Sequence, residues 1–300
     1  MRLTFVSLCF LIACGGDDAG HADAADNGFA TPTVSLRANM EVSSDNWSEI
    51  GPADLSCLGM ASSDVATAAE VTLNTKVNDF QSGNAVPGAS VKAFKDIDYT
   101  TPFDTKMSDT NAMVSVTIPA GTKRYGFQMT SSSSLPTFLL NQYVDPTKVT
   151  GGVTTDPSKI QTVSMVTAAT LNALIGQTRM VGTGVVAGAL RDCQNHEVSG
   201  FIATVSSTKG TATPLGEAYY FDPAVGLPVR HHQASVASAD GLFMIIQLPA
   251  TNPQGYVQMW GFPTEADIAK GMAGLKLIAE LQVPIIADNV ITGSYEPLRQ

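Results

Sequence analysis

Charge is scarce in this chain: only 15% of its 300 residues are Asp, Glu, Lys or Arg, and the balance is acidic, with a formal net charge of -10. No basic run occurs anywhere, which excludes the phosphate-neutralising surface that nucleic-acid binding requires. Apolar runs are short. None approaches the ~20 residues of a membrane-spanning helix. Cysteine is limited to four residues, Cys9, Cys14, Cys57 and Cys193. None has a Cys-x-x-Cys partner, which argues against a structural zinc site. Catalytic signatures are also missing: there is no Gly-x-Ser-x-Gly, P-loop, Gly-x-Gly-x-x-Gly or His-Glu-x-x-His. The sequence therefore implies no cofactor, no metal and no enzyme.

What is present begins at the N-terminus. Arg2 precedes the apolar stretch from Leu3 to Ala13, the layout of a secretory signal. The string Leu11-Ile12-Ala13-Cys14-Gly15 resembles the lipobox of bacterial lipoproteins. The resemblance implies cleavage after residue 13, acylation (palmitate included) of Cys14, and a partnership with the lipid bilayer through that cysteine. Gly15, rather than Asp, at the next position implies the outer membrane rather than the inner. A plain secretory signal without lipid is the alternative. With Cys9 removed and Cys14 acylated, Cys57 and Cys193 remain, and an oxidising compartment favours a disulfide between them. Two buried free thiols are the other reading.

Residues 14–50 are rich in small and polar types and are expected to form a flexible tether. Beyond them the grammar is β. Val71 to Val77, Ala89 to Phe94 and Met113 to Ile118 alternate apolar and polar residues, separated by turn clusters such as Val86-Pro87-Gly88 and Ser108-Asp109-Thr110-Asn111. Tyr125 to Met129 and Phe138 to Val144 complete the set. Asp156-Pro157 is expected to start a helix that Gly176 ends. Similar grammar returns in Gly184 to Leu190, Val198-Ser199-Gly200, and Ser238-Ala239-Asp240-Gly241 before Leu242 to Pro249. A short helix is expected from Glu265 with Thr264 as N-cap, then strands over Leu275 to Val283 and Asn289 to Tyr295.

The two β-rich stretches, about 70–145 and 182–262, resemble carboxypeptidase regulatory-like domains of the transthyretin-like type. The matching residues are Val77 to Asp79, Val86 to Val91, Ser108-Asp109 and Val116 to Ala120, then Gly188 to Asp192, Val198 to Gly200 and Ser238 to Pro249. The second copy departs at Phe201-Ile202-Ala203 and carries an insertion through Tyr219-Tyr220-Phe221-Asp222. The resemblance implies a mainly β chain with two transthyretin-like or Ig-like β-sandwiches (51–155 and 182–300) and an intervening short helix in a linker (156–181). It implies no peptidase activity.

Functional expectations are correspondingly spare. The reading is a lipid-anchored binding or scaffolding protein of the cell envelope, with envelope polysaccharide or other envelope proteins as partners and Tyr219, Tyr220 and Trp260 as ligand-facing aromatics. The alternative is a hydrolase or metal-dependent enzyme built on His231, His232 and nearby carboxylates. Ser206-x-x-Lys209 is a further, chance-level nucleophile pattern. Lys76 and Lys92 are the lysines available for an intramolecular Lys–Asn bond.

Overall fold

The computed structural model describes residues 31–43 and 46–300, so the signal segment and Cys14 lie outside the described residues. The described chain is mainly β. It begins with β1 (Arg37–Ser43), β2 (Asn46–Pro52), β3 (Val71–Asp79), β4 (Ser90–Lys95), β5 (Asp104–Met107), β6 (Met113–Ile118) and β7 (Arg124–Thr130). It continues with β8 (Ser134–Leu135), β9 (Thr137–Tyr143), β10 (Val153–Thr154), β11 (Lys159–Ser164) and helix α1 (Met165–Leu174). The second half holds β12 (Thr183–Leu190), β13 (Glu197–Ser199), β14 (Ile202–Thr208), β15 (Thr211–Leu215), β16 (Glu217–Asp222), β17 (Leu227–Pro228), β18 (Leu242–Pro249) and β19 (Gln254–Gly261). It ends with α2 (Glu265–Ile268), β20 (Lys276–Pro284) and β21 (Val290–Tyr295).

One nine-stranded sheet, in the order β17-β16-β18-β12-β21-β9-β7-β4-β5, runs through both halves. The join is β21, which pairs in parallel with β12 on one side and with β9 on the other. On one face of the β9-β7-β4 end lies the sheet β10-β3-β11-β8, with β6 on β3. Leu73, Val77, Val91, Val116 and Phe127 fill the space between them. Against the opposite face of the nine-stranded sheet lies β15-β14-β19-β20. Its core holds Val186, Val205, Phe243, Val257 and Ile291. Alternation along β9 shows how one sheet serves both cores: Phe138 and Leu140 belong to the second, while the intervening Leu139 packs on the first.

Two expectations need correcting. Within the segment assigned to a tether, Arg37–Ser43 and Asn46–Pro52 form an antiparallel ribbon whose first strand pairs with β13. Buried Leu36 and Ala38 and the Arg37–Glu49 ion pair stabilise it despite its polar composition. Residues 159–164, expected to be helical, are β11. Parallel pairing with β3 (Lys159↔Lys76 to Thr162↔Asp79) buries Ile160 and Thr162, and this tertiary gain overrides the local helix-start signal. The helix begins at Met165, with the Ser164 hydroxyl accepting from the Thr167 amide at 3.0 Å. Gly176, with φ +75°, follows the helix as expected.

Cys57 and Cys193 form a disulfide, with Cα atoms 5.8 Å apart. It fastens the loop after the ribbon to the turn after β12. No helix among the described residues is long and apolar enough to cross a membrane.

Candidate functional site

The second half of the long sheet is buried on both faces. Val186, Phe243 and Ile291 point toward the second core. Their neighbours Val185, Ala187, Met244 and Val290 point the other way, toward α1 and the edge of the first sandwich. Against this second face the packing does not close. A cleft of about 370 Å³ remains, floored by β12, β18 and β21 and walled by β11, α1 and Phe80. That size lies within the range of small-molecule sites.

The cleft is kept open by the small residues of its floor, Ala187, Ala189 and Gly293. Gly188 has a separate necessity: a Cβ there would lie 2.4 Å from the Tyr295 ring and 2.7 Å from the Gly293 carbonyl oxygen, so β12 and β21 could not approach as they do. At one end, Leu135, Val163, Val185 and Val290 form an apolar cluster with Phe80. The Phe80 ring meets Phe221 edge-on, with centroids 6.4 Å apart. Register puts the other end at the C-terminal residues of three parallel strands. There Gln142, Arg191 and Ser294 gather with Lys159, the first residue of β11.

Three lining residues, Lys159, Arg179 and Arg191, are cationic and none is acidic, although the chain as a whole carries an excess of acids. Arg179 pairs with Asp288, and Arg191 lies 2.7 Å from Glu197. Lys159 has no ion-pair partner among the described residues. Asn172, on the inner side of α1, is only 6% exposed, and its side chain makes no hydrogen bond among the described residues. Its polar atoms are not among the buried unpaired ones, so the cleft leaves them open to water or to a ligand.

The wall is fixed by Asp79. Its carboxylate accepts from the Ser82 and Ser164 amides at 3.0 and 2.9 Å and from the Thr167 hydroxyl at 3.1 Å. Burial pushes this carboxyl up, but these hydrogen bonds outweigh it and hold it below the usual aspartate range.

The aromatics expected to face ligand do not form a platform. Tyr219 and Tyr220 are each 2% exposed and, as neighbours on β16, point to opposite faces. Tyr220 accepts from the Ala203 amide at 2.9 Å, and Tyr219 donates to Glu217 at 2.7 Å. Both side chains are committed to packing. Trp260 is half-buried against Ile202, Phe262 and Leu275.

His231 stacks on Tyr219 at 4.2 Å, with Nε2 3.0 Å from the Ala218 carbonyl. His196 lies 3.5 Å from Asp192. Among the described residues no three His, Cys, Asp or Glu side chains gather as a metal site. Ser206 is buried, donating to Gln258 at 2.8 Å. Lys76 stands opposite Met113 and Lys159, and Lys92 opposite Thr105 and Gln128, so neither faces an Asn or Asp across its strand pairs.

The cleft residues escaped the sequence reading, but a signal existed. Val185 to Leu190 and Leu242 to Leu248 are almost continuously apolar, the mark of strands covered on both faces. An amphipathic sandwich strand alternates instead, so a second buried face was legible there.

No protein-family model and no curated protein matches the chain. Among solved structures, the shaft pilin SpaA from Lactobacillus rhamnosus GG is similar at 11% identity over 77% of this chain and 98% of its own, with a TM-score of 0.22. The Bacillus anthracis TIE protein matches at 12% over 76% of this chain and 34% of its own, with a TM-score of 0.23. BcpA, the major pilin subunit of Bacillus cereus, matches at 10% over 76% and 69%, with a TM-score of 0.23. Scores this low carry no argument about function.

Proposed function

We propose that this chain is a lipid-anchored, non-catalytic binding protein of the bacterial cell envelope, and that its ligand sits in the cleft between the two sandwiches. The observation that carries the reading is the cleft itself: a cavity of about 370 Å³ with an apolar cluster at one end, three cations and no acid in its lining, and the Asn172 carboxamide on its wall. The Leu11-Ile12-Ala13-Cys14 string supports the anchor, and the Cys57–Cys193 disulfide fits an oxidising compartment. An acylated Cys14 would hold the body near the bilayer, where envelope polysaccharide, envelope proteins and lipids are all within reach. The resemblance to carboxypeptidase regulatory-like modules agrees with a binding rather than a catalytic task.

The test is to purify the untagged protein from its own membrane and determine two masses. The N-terminal peptide is expected to begin at Cys14 and carry acyl chains. The intact protein under native conditions is expected to carry one small molecule that is absent from an Ala189→Phe variant, in which a phenyl ring fills the cleft. A free N-terminus beyond residue 14 would rule out the anchor, and an unchanged ligand load in the variant would rule out the cleft as its seat.

A further inference from the structure

Resting on the cleft as a ligand site, we infer that its ligand is a single-chain amphiphile with an anionic head group. Three observations lead there. First, the lining varies along the cleft: Leu135, Val163, Val185 and Val290 lie toward one end, with Arg179 there tied to Asp288, whereas Gln142, Lys159, Arg191 and Ser294 lie toward the other. The parallel register of β9, β21 and β12 sets this polarity, because Val290 stands beside Thr137 and Val185 at the apolar end, while Gly293 stands beside Leu140 and Gly188 toward the other. A ligand that satisfies both ends needs an extended apolar body and a polar head.

Second, the charge of the lining has one sign. In a chain with 27 acidic and 17 basic residues, three cations and no acid line this cleft. Arg179 and Arg191 have acidic partners, but Lys159 is a cation without one among the described residues. An ammonium at the mouth of an apolar cleft favours a carboxylate or phosphate and repels a cation. Third, Asn172 lies on the cleft wall with no side-chain hydrogen bond among the described residues and with its polar atoms still accessible to a ligand. A side chain chosen only for packing at that position would be apolar.

The expected pose has the chain along Ala187 and Ala189, its tail against Leu135, Val163, Val185 and Val290, and its acid at Lys159. A volume of about 370 Å³ is at the small end of ligand sites, which favours one chain over a two-chain lipid.

Calorimetric titration of the full chain with three probes of equal chain length tests this: dodecanoate, 1-dodecanol and dodecyltrimethylammonium, each below its aggregation concentration. Dodecanoate is expected to bind at one site, at least tenfold more tightly than dodecyltrimethylammonium. Lys159→Glu is expected to reverse that order, gaining the cationic probe as it loses the anionic one. That gain cannot come from misfolding. Equal binding of all three probes, or an order that Lys159→Glu leaves unchanged, would overturn the anionic assignment while leaving the cleft as a site. If no probe binds wild-type protein, both the assignment and the cleft reading fall.

Discussion

Asp240 is the residue whose ionisation most clearly opposes folding. It is 3% exposed, and while Oδ1 accepts from the Leu242 amide at 3.0 Å, Oδ2 has no hydrogen-bond partner among the described residues. Burial, with Asp222 and Glu197 adding repulsion, pushes its carboxyl up to about 7. A carboxyl raised in the fold is protonated there while the unfolded chain is already ionised. Stability is therefore full below pH ~4 as far as this group is concerned, and declines as pH rises toward 7, by up to roughly 4 kcal/mol. Asp240→Asn keeps the Leu242 hydrogen bond and removes the charge. Its midpoint in urea at pH 7.5 is expected to exceed that of wild type, with the difference vanishing near pH 4. Asn172 makes a milder case, because its polar atoms open onto the cleft rather than being sealed in. Replacing its unpaired carboxamide in Asn172→Leu is expected to raise the melting temperature of the ligand-free protein. A lower melting temperature would show that Asn172 serves the fold rather than the cleft.

At the level of elements, what the sequence disclosed depended on whether local pattern and tertiary pairing agreed. In β3 they agree: Val71, Leu73, Thr75, Val77 and Asp79 are all buried while the residues between them are half-buried, so alternation alone located the strand. In β11 they conflict, because Asp156-Pro157-Ser158 has helix-start chemistry while the residues that follow are claimed by β3, some eighty positions earlier. The ribbon β1–β2 was hidden for a similar reason, since its order depends on β13 more than 150 residues away. Asp79 joins these remote pieces by tying the end of β3 to the start of α1. Asp79→Ala leaves the Ser164 amide and Thr167 hydroxyl without this acceptor and is expected to cost about 2–3 kcal/mol in chemical denaturation. Faster hydrogen exchange should be confined first to residues 164–175. Reduction of Cys57–Cys193, which are 136 positions apart, should lower stability by as much as roughly 5 kcal/mol in the chain-entropy account, detectable as a fall in the urea midpoint.

For the whole molecule, the consequential strand is the last one. β21 completes the second sandwich and pairs with β9 of the first, so the two halves share a sheet rather than meet at a hinge. The alternating strand grammar of both halves was visible in the sequence, but this parallel insertion was not, because nothing local in Val290 to Tyr295 specifies a partner about 150 positions back. The shared sheet also forms the cleft, whose floor comes from one half and whose wall comes from the other. The most direct measurement of the central claim is titration of the purified chain with an environment-sensitive apolar fluorophore, comparing wild type with Ala189→Phe and confirming by circular dichroism that both are folded. A saturable one-site enhancement in wild type that disappears in the variant is the predicted result. Equal enhancement in both, or none in wild type, would contradict a ligand site between the sandwiches.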